Sequence, residues 1–84
     1  MLERGTAVRS SAGRDKGKLL AIVQAEKDRV LVCDGKERPI DRPKSKNIRH
    51  IVSVGAAVTE AELASNRALR KALRRLNAEI NGNT

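Results

Sequence analysis

Arg9, Arg14, Lys16 and Lys18 crowd into ten residues, and Gly13 and Gly17 punctuate the same stretch, Ser10-Ser11-Ala12-Gly13-Arg14-Asp15-Lys16-Gly17-Lys18. Glycine takes positive φ without a Cβ penalty. Such a segment can therefore turn tightly, turn backbone N–H groups outward and hold several cations in one small region. A phosphate backbone is the ligand that this combination suits, because cations neutralise it and release its counterions. The bland alternative is a solvated hairpin that happens to carry lysines. A second basic segment weighs against that alternative. Arg42, Lys44, Lys46 and Arg49 precede His50 with no carboxylate among them, and Pro43 stiffens the segment so that less conformational entropy is lost when it meets a ligand. Asn47 can offer its amide to a base edge or a sugar hydroxyl, or can serve only as a turn cap. His50 can donate to phosphate when protonated, or can pack as a strand residue.

No constellation for catalysis accompanies these cations. The chain has neither an H-E-x-x-H pattern nor a P-loop, Asp15 and Asp34 sit where turn formers belong, and no nucleophile has a base in view. Cys33 is the single cysteine. It stands in the apolar run Arg29-Val30-Leu31-Val32-Cys33-Asp34, where a free thiol behaves as a small buried hydrophobe. One cysteine makes neither a disulfide framework nor a zinc ligand set, and it points to a reducing, cytoplasmic setting. No cofactor, metal or small-molecule substrate is implied, and the expectation is a protein that is not an enzyme.

The elements that must position the two basic segments are short. Thr6-Ala7-Val8-Arg9 reads as a first strand. Leu19-Leu20-Ala21-Ile22-Val23 reads as a second, apolar on both faces and so central. Glu26-Lys27-Asp28 turns the chain into a third strand, Arg29 to Cys33. Asp34-Gly35 is a hairpin signal of the type I′ class, leading to a fourth strand, Glu37-Arg38-Pro39-Ile40, which its proline confines to an edge. Residues 42–47 follow as a basic loop, and Ile48-Arg49-His50-Ile51-Val52 returns as a fifth strand. Close turn spacing of this kind predicts a small all-β unit, here a five-stranded SH3-like barrel over residues 1–54.

Residues 55–84 read as a helical extension. Leu69, Leu73, Leu76 and Ile80 share one helical stripe, with Arg67, Arg70, Lys71, Arg74 and Arg75 opposite. Leu63 falls off that stripe, and a break at Ser65-Asn66, both good N-caps, removes the conflict. A short turn then precedes the break, opened by the capping box Thr59-x-x-Glu62 with Val58 and Leu63 as its staple. Gly82 is placed to stop the helix as a C′ residue. The cationic face can be solvated, can lie on RNA, or can lie on a membrane surface; it lacks the Trp or Phe that anchors in lipid, so no membrane partner is expected. Nor does any apolar run approach the length of a spanning helix, and the N-terminal residues lack a signal-peptide core.

The composition supports phosphate recognition over base stacking. Eighteen Lys and Arg against ten Asp and Glu give a formal net charge of +8 in 84 residues, with no Phe, Tyr or Trp. A pI of 10.6 lies beyond the value of about 9 that flags nucleic-acid binders. Without an aromatic ring, the common platform for unpaired bases is absent. Counted by region, residues 1–52 hold 13 cations and 7 anions (+6) and residues 53–84 hold 5 and 3 (+2), which points to the β unit as the main binding surface, with the helix second.

Three blocks in order resemble the KOW family: Val8-Arg9-Ser10-x-Ala12-Gly13-Arg14-Asp15-Lys16-Gly17-Lys18, then Asp34-Gly35-Lys36, then Arg42-Pro43-Lys44-x-Lys46-Asn47-Ile48-Arg49-His50. The resemblance spans about residues 5–52, with Gly17 as the motif glycine. More narrowly, it looks like the KOW proteins of the archaeal and eukaryotic large ribosomal subunit and the short bacterial proteins related to them, and Asn66 to Leu73 also resembles a helical tail of the bacterial members. What it implies is an SH3-like barrel that binds structured, ribosomal RNA, with the large ribosomal subunit as a partner. The chain departs from those relatives in lacking the aromatic residue they often carry in the second or third strand. The nominated RNA contacts are Arg9, Ser10, Arg14, Lys16, Gly17 and Lys18 of the first loop, Arg42, Lys44, Lys46, Asn47, Arg49 and His50 of the second, and Arg70, Lys71 and Arg74 of the helix. The competing expectation is a KOW module that docks on the transcription or translation machinery through a sheet edge and the leucine stripe.

Overall fold

Strand formation follows the apolar alternation through the first half of the chain. The computed structural model describes residues 2–82 and contains five strands: β1 (Thr6–Ser10), β2 (Leu19–Ala25), β3 (Arg29–Cys33), β4 (Lys44–Asn47) and β5 (Ile51–Ala57). They form one antiparallel sheet in the order β4-β3-β2-β1-β5, so β2 is central, as its two apolar faces require. Successive residues point to opposite faces, and the core divides accordingly. Val8, Leu20, Ile22, Val30, Val32 and Ile51 pack together on one face. Ala7, Ala21 and Cys33 occupy the other, where Leu63, Leu69, Ala72, Leu73 and Leu76 cover them.

The helix α1 (Asn66–Asn81) supplies most of that cover. Its start is defined by Ser65, whose hydroxyl accepts from Ala68 N at 3.1 Å. Such an N-cap contributes about 1 kcal/mol. Before it, the Thr59–Glu62 capping box closes as the spacing predicts: Thr59 N donates to Glu62 Oε1 at 2.9 Å and Glu62 N donates to Thr59 Oγ1 at 3.1 Å. Leu63 is 3% exposed, so the break at Ser65 does turn this leucine into the core. Leu69, Leu73 and Leu76 are buried, whereas Ile80 is 39% exposed: the stripe outruns the sheet beneath it. Gly82 caps the helix with a right-handed φ of −90° and so is not the left-handed C′ residue expected.

Three further elements differ from their sequence expectation. Glu37–Ile40 is not a strand. Asp34 Oδ1 accepts from Lys36 N at 2.8 Å and Arg38 N at 2.9 Å, and Ile40 N donates to Asn66 Oδ1 at 2.8 Å. The N–H groups that a ladder would need are thus committed to side chains, and Pro39 has none. The fourth strand is instead Lys44–Asn47, inside the expected basic loop, paired with β3 from Val32↔Lys44 to Arg29↔Asn47. A short polar strand with lysines is what a sheet edge tolerates. Finally, Ile48–His50 is a 3-10 turn rather than strand, capped by Asn47, and β5 begins at Ile51 and runs past residue 54 to Ala57.

Two irregularities curve the sheet. Pairing slips between Ile22 and Gln24, leaving Val23 as the extra residue, and a bulge of this kind bends its strand. The Val23 carbonyl is met by Arg4 Nη1 at 2.9 Å, while the rest of the Arg4 guanidinium grips Glu60 with contacts of 2.9–3.2 Å. A second slip lies between β1 and β5.

Gly35 ties the 34–43 segment to the helix. It is buried, its carbonyl accepts from Arg70 Nη1 at 2.8 Å, its φ is +79°, and a Cβ there would run into the Asn66 carbonyl oxygen. At Gly17, with φ +88°, a Cβ would meet nothing within 4 Å. Gly17→Ala should therefore cost only the left-handed strain, about 1 kcal/mol. Gly35→Ala adds overpacking against the helix start and should cost about 2–4 kcal/mol in total. Chemical denaturation of the two variants checks the order; equal losses would contradict the packing of Gly35 under α1.

Candidate nucleic-acid interface

The Ser11–Lys18 loop is closed by its own backbone before any side chain is considered. Ser10 N donates to Lys18 O at 3.0 Å and Gly17 N to Ser10 O at 2.8 Å, with tighter turns from Lys16 N to Gly13 O and from Lys18 N to Asp15 O inside. Gly13 and Gly17 both have positive φ, as the loop chemistry predicts. Asp15 is 3% exposed and is held by Arg38 at 3.2 Å and Lys18 at 3.9 Å. This buried carboxylate is the pin around which the loop folds.

Several nominated contacts hold the loop rather than face outward. Ser10 is 3% exposed, and its hydroxyl donates to Ala12 O at 2.9 Å. Lys46 is 8% exposed, with Nζ donating to Ala12 O at 3.2 Å. Arg9 donates from Nη1 to Gly17 O at 2.8 Å and from Nη2 to Asn77 Oδ1 at 3.2 Å, clamping the loop to α1. Lys18 is ion-paired with Glu37 as well as Asp15. Asn47 caps the 3-10 turn by accepting from Arg49 N at 2.9 Å, the turn-cap role left open by its sequence setting. The contacts of Lys46 with Ala12, Arg9 with Asn77 and Lys18 with Glu37 do not show in local sequence, because each partner lies elsewhere in the chain; those of Ser10 and Asn47 are local.

The remaining nominated side chains are exposed. Arg14 and Lys16 project from the first loop, Arg42 and Lys44 from the approach to β4 and its start, and Arg49 and His50 from the 3-10 turn. The fold brings the last two near the first loop, since Ser11 N donates to His50 O at 2.9 Å. On the other side of the loop, Gly17, Lys18, Arg74 and Asn77 line one groove with Arg9. The loop therefore stands between the 46–50 segment and the helix.

On α1 itself, Arg67, Arg70, Lys71 and Arg74 line a single shallow cleft, and all are exposed. Arg67 is the member that the nominated set omits, although its position three and four residues before Arg70 and Lys71 already puts it on their face. Arg75 differs: it pairs with Glu62 at 3.0 Å and Glu79 at 3.7 Å. Glu62 is held below the ordinary carboxylate range, first by the Thr59 N–H and also by Arg75, against an opposing effect of burial. The cleft has no such carboxylate among the described residues. Like charges three and four apart on a helix destabilise it by about 0.2–0.5 kcal/mol per pair. The first turn of α1 carries no acid and the last turn no base, the reverse of what the helix dipole favours, where each well-placed charge contributes about 0.3–1 kcal/mol.

Among the described residues no group of His, Cys, Asp and Glu is arranged to hold a metal ion, and no helix is long and apolar enough to cross a membrane. No protein-family model matches the chain, and no curated protein sequence matches it.

Cys33 is fully buried, and burial pushes its thiol up from the ordinary value near 9 to about 11, with Asp34 adding to the shift. A thiol so placed is a poor nucleophile at neutral pH. Its raised folded-state pKa contributes stability that is complete below about 9 and lost as pH rises toward about 11. Unfolding free energy should thus fall across that window by at most about 1.4 kcal/mol per pH unit. Cys33→Ala should remove that slope. Parallel pH profiles for wild type and variant in denaturant melts would show that the thiol does not titrate with folding.

Proposed function

We propose that this protein is a non-catalytic, cytoplasmic RNA-binding module of the KOW type, an SH3-like barrel that recognises the phosphate backbone of structured RNA, ribosomal RNA in the first place. The observation that carries the reading is the grouping of exposed cations around one glycine-turned loop: Arg14 and Lys16 on it, Arg49 beside it with the exposed His50, and Arg74 across the groove from Gly17. Phosphate contacts need charge held in register, and the Asp15 pin, the Arg9 clamp and the Ser11–His50 hydrogen bond hold it. The strand order and the 3-10 turn between β4 and β5 agree with an SH3-like path of the chain. Folded RNA suits these groups better than loose strands, because A-form helices are read through phosphates and 2′-hydroxyls and no aromatic residue is present.

A protein-docking role has less to work with. The leucine stripe that such a role would use is spent on the sheet, where Leu69, Leu73 and Leu76 are buried.

The expected behaviour is electrostatic. With about six phosphates neutralised, log K should fall against log salt with a slope near −5, measured by titrating ribosomal RNA into the protein across salt concentrations. A slope near zero removes the RNA reading. Co-sedimentation of the chain with large ribosomal subunits from a lysate at low salt, lost at high salt, checks the ribosomal partner.

A further inference from the structure

We infer that the exposed face of α1 around Arg67, Lys71 and Arg74 is the main contact for the RNA backbone, ahead of the loops. The inference rests on the RNA-binding reading and assigns its principal surface. Three observations carry it. In the loops Lys18 is ion-paired with Glu37, and Lys46 and Arg9 spend donors on the Ala12 and Gly17 carbonyls and the Asn77 amide; the exposed loop cations Arg14, Lys16, Arg42, Lys44 and Arg49 are spread over three separate segments rather than one rigid face. The helix loses little, for Arg67, Lys71 and Arg74 have no carboxylate within ion-pair distance among the described residues. Arg70 shares the cleft, but one arm of its guanidinium holds Gly35 O.

The placement of these charges is also costly to the helix. Arg67 and Lys71 are four apart and Lys71 and Arg74 three apart, across about two turns with no acid in them. Such an arrangement repels itself, and Arg67, in the first turn, also opposes the macrodipole. A polyanion laid on this face relieves both effects. From Arg67 to Arg74 the helix rises about 10 Å, so the three cations form a rigid row long enough to meet more than one phosphate of a strand. Arg74 reaches the groove beside Gly17 and Lys18, where Asp34 also lies with Oδ1 accepting from Lys36 N and Arg38 N, so the row meets the loop on its Gly17–Lys18 side. An RNA duplex lying across that junction touches helix and loop together, by its backbone alone.

Two variants of equal charge test this. One carries Arg67→Gln, Lys71→Gln and Arg74→Gln; the other carries Arg14→Gln, Lys16→Gln and Arg49→Gln. Arg70 is left in place because it supports Gly35. The probe is a fluorescent RNA hairpin with one full turn of A-form stem, titrated at several salt concentrations, with thermal melting of each protein in parallel. The helix variant should lose at least tenfold more affinity than the loop variant at the same salt, and its salt slope should flatten by roughly two to three, one for each phosphate contact removed. It should melt no lower than wild type, since repulsion is relieved. Equal losses in the two variants, or a larger loss in the loop variant, overturn the inference while leaving RNA binding intact. A lower melting temperature of the helix variant overturns the claim that these cations are placed at the helix's expense. A flat salt dependence of the wild type removes the inference and the RNA reading together.

Discussion

Ala7, Ala21 and Cys33 lie in one register row across β1, β2 and β3, and the closeness they permit governs much of the molecule. Three small side chains make a shallow floor, so Leu69, Leu73 and Leu76 of α1 reach the sheet and are buried. A domain of this size has little apolar surface to spare, and it contains no aromatic side chain to fill a wider gap. The opposite face is filled by larger residues, Leu20, Ile22, Val30 and Val32. Small residues under the helix and large ones under the curled sheet are thus two halves of one packing solution. The position of every cation on α1 follows from it, because burying Leu69, Leu73 and Leu76 turns Arg67, Lys71 and Arg74 outward.

The same contact fixes the loops. With α1 seated, Asn66 takes the Ile40 N–H, Arg70 takes the Gly35 carbonyl, and Asn77 takes Arg9. Residues 34–43 and the Gly17 loop are therefore referred to the helix at its start and toward its end. Arg4 does a related task at the bulge, joining Val23 O to Glu60; this pair is solvent-exposed, and exposed pairs of this kind contribute little to stability. Its value is geometric, since it closes a carbonyl that the ladder cannot use.

How far this was legible from sequence depended on whether a signal was local. β1, β2 and β3 could be placed to within a residue or two because apolar alternation is written in the strand itself, and the Thr59–Glu62 box and the Ser65 cap are likewise complete within a few residues. Lys44–Asn47 has no such signature; it is a strand because β3 offers it an edge, and strand preference is largely a matter of neighbours. Asp34-Gly35 invited a hairpin, but the group that decides otherwise, Asn66, stands 26 residues from Ile40. In the candidate site, the types of the cations were plain and their freedom was not. Lys44 and Lys46 share a strand face by alternation, yet only Lys46 is buried, because the Ala12 carbonyl happens to lie within its reach.

Charge counted by region conceals the helix. Residues 53–84 sum to +2, but Glu60 and Glu62 precede α1 and Glu79 lies near its end, so Asn66 to Leu76 carries five cations and no carboxylate. Of these, Arg75 is neutralised by flanking glutamates, which concentrates the unpaired charge on one cleft. In the loops the reverse holds: Asp15 and Glu37 draw Lys18 and Arg38 inward and spend charge on shape. Here the cations paired with carboxylates, Lys18, Arg38 and Arg75, serve structure, and Arg67, Lys71 and Arg74, with no ion pair among the described residues, face outward. A chain without aromatic rings must obtain selectivity from where its cations stand, because it has no stacking to add. Cations on a helix whose inner face is locked to the core keep their spacing without loss of backbone entropy on binding, whereas loop cations keep theirs only through the pins and clamps that consume their neighbours.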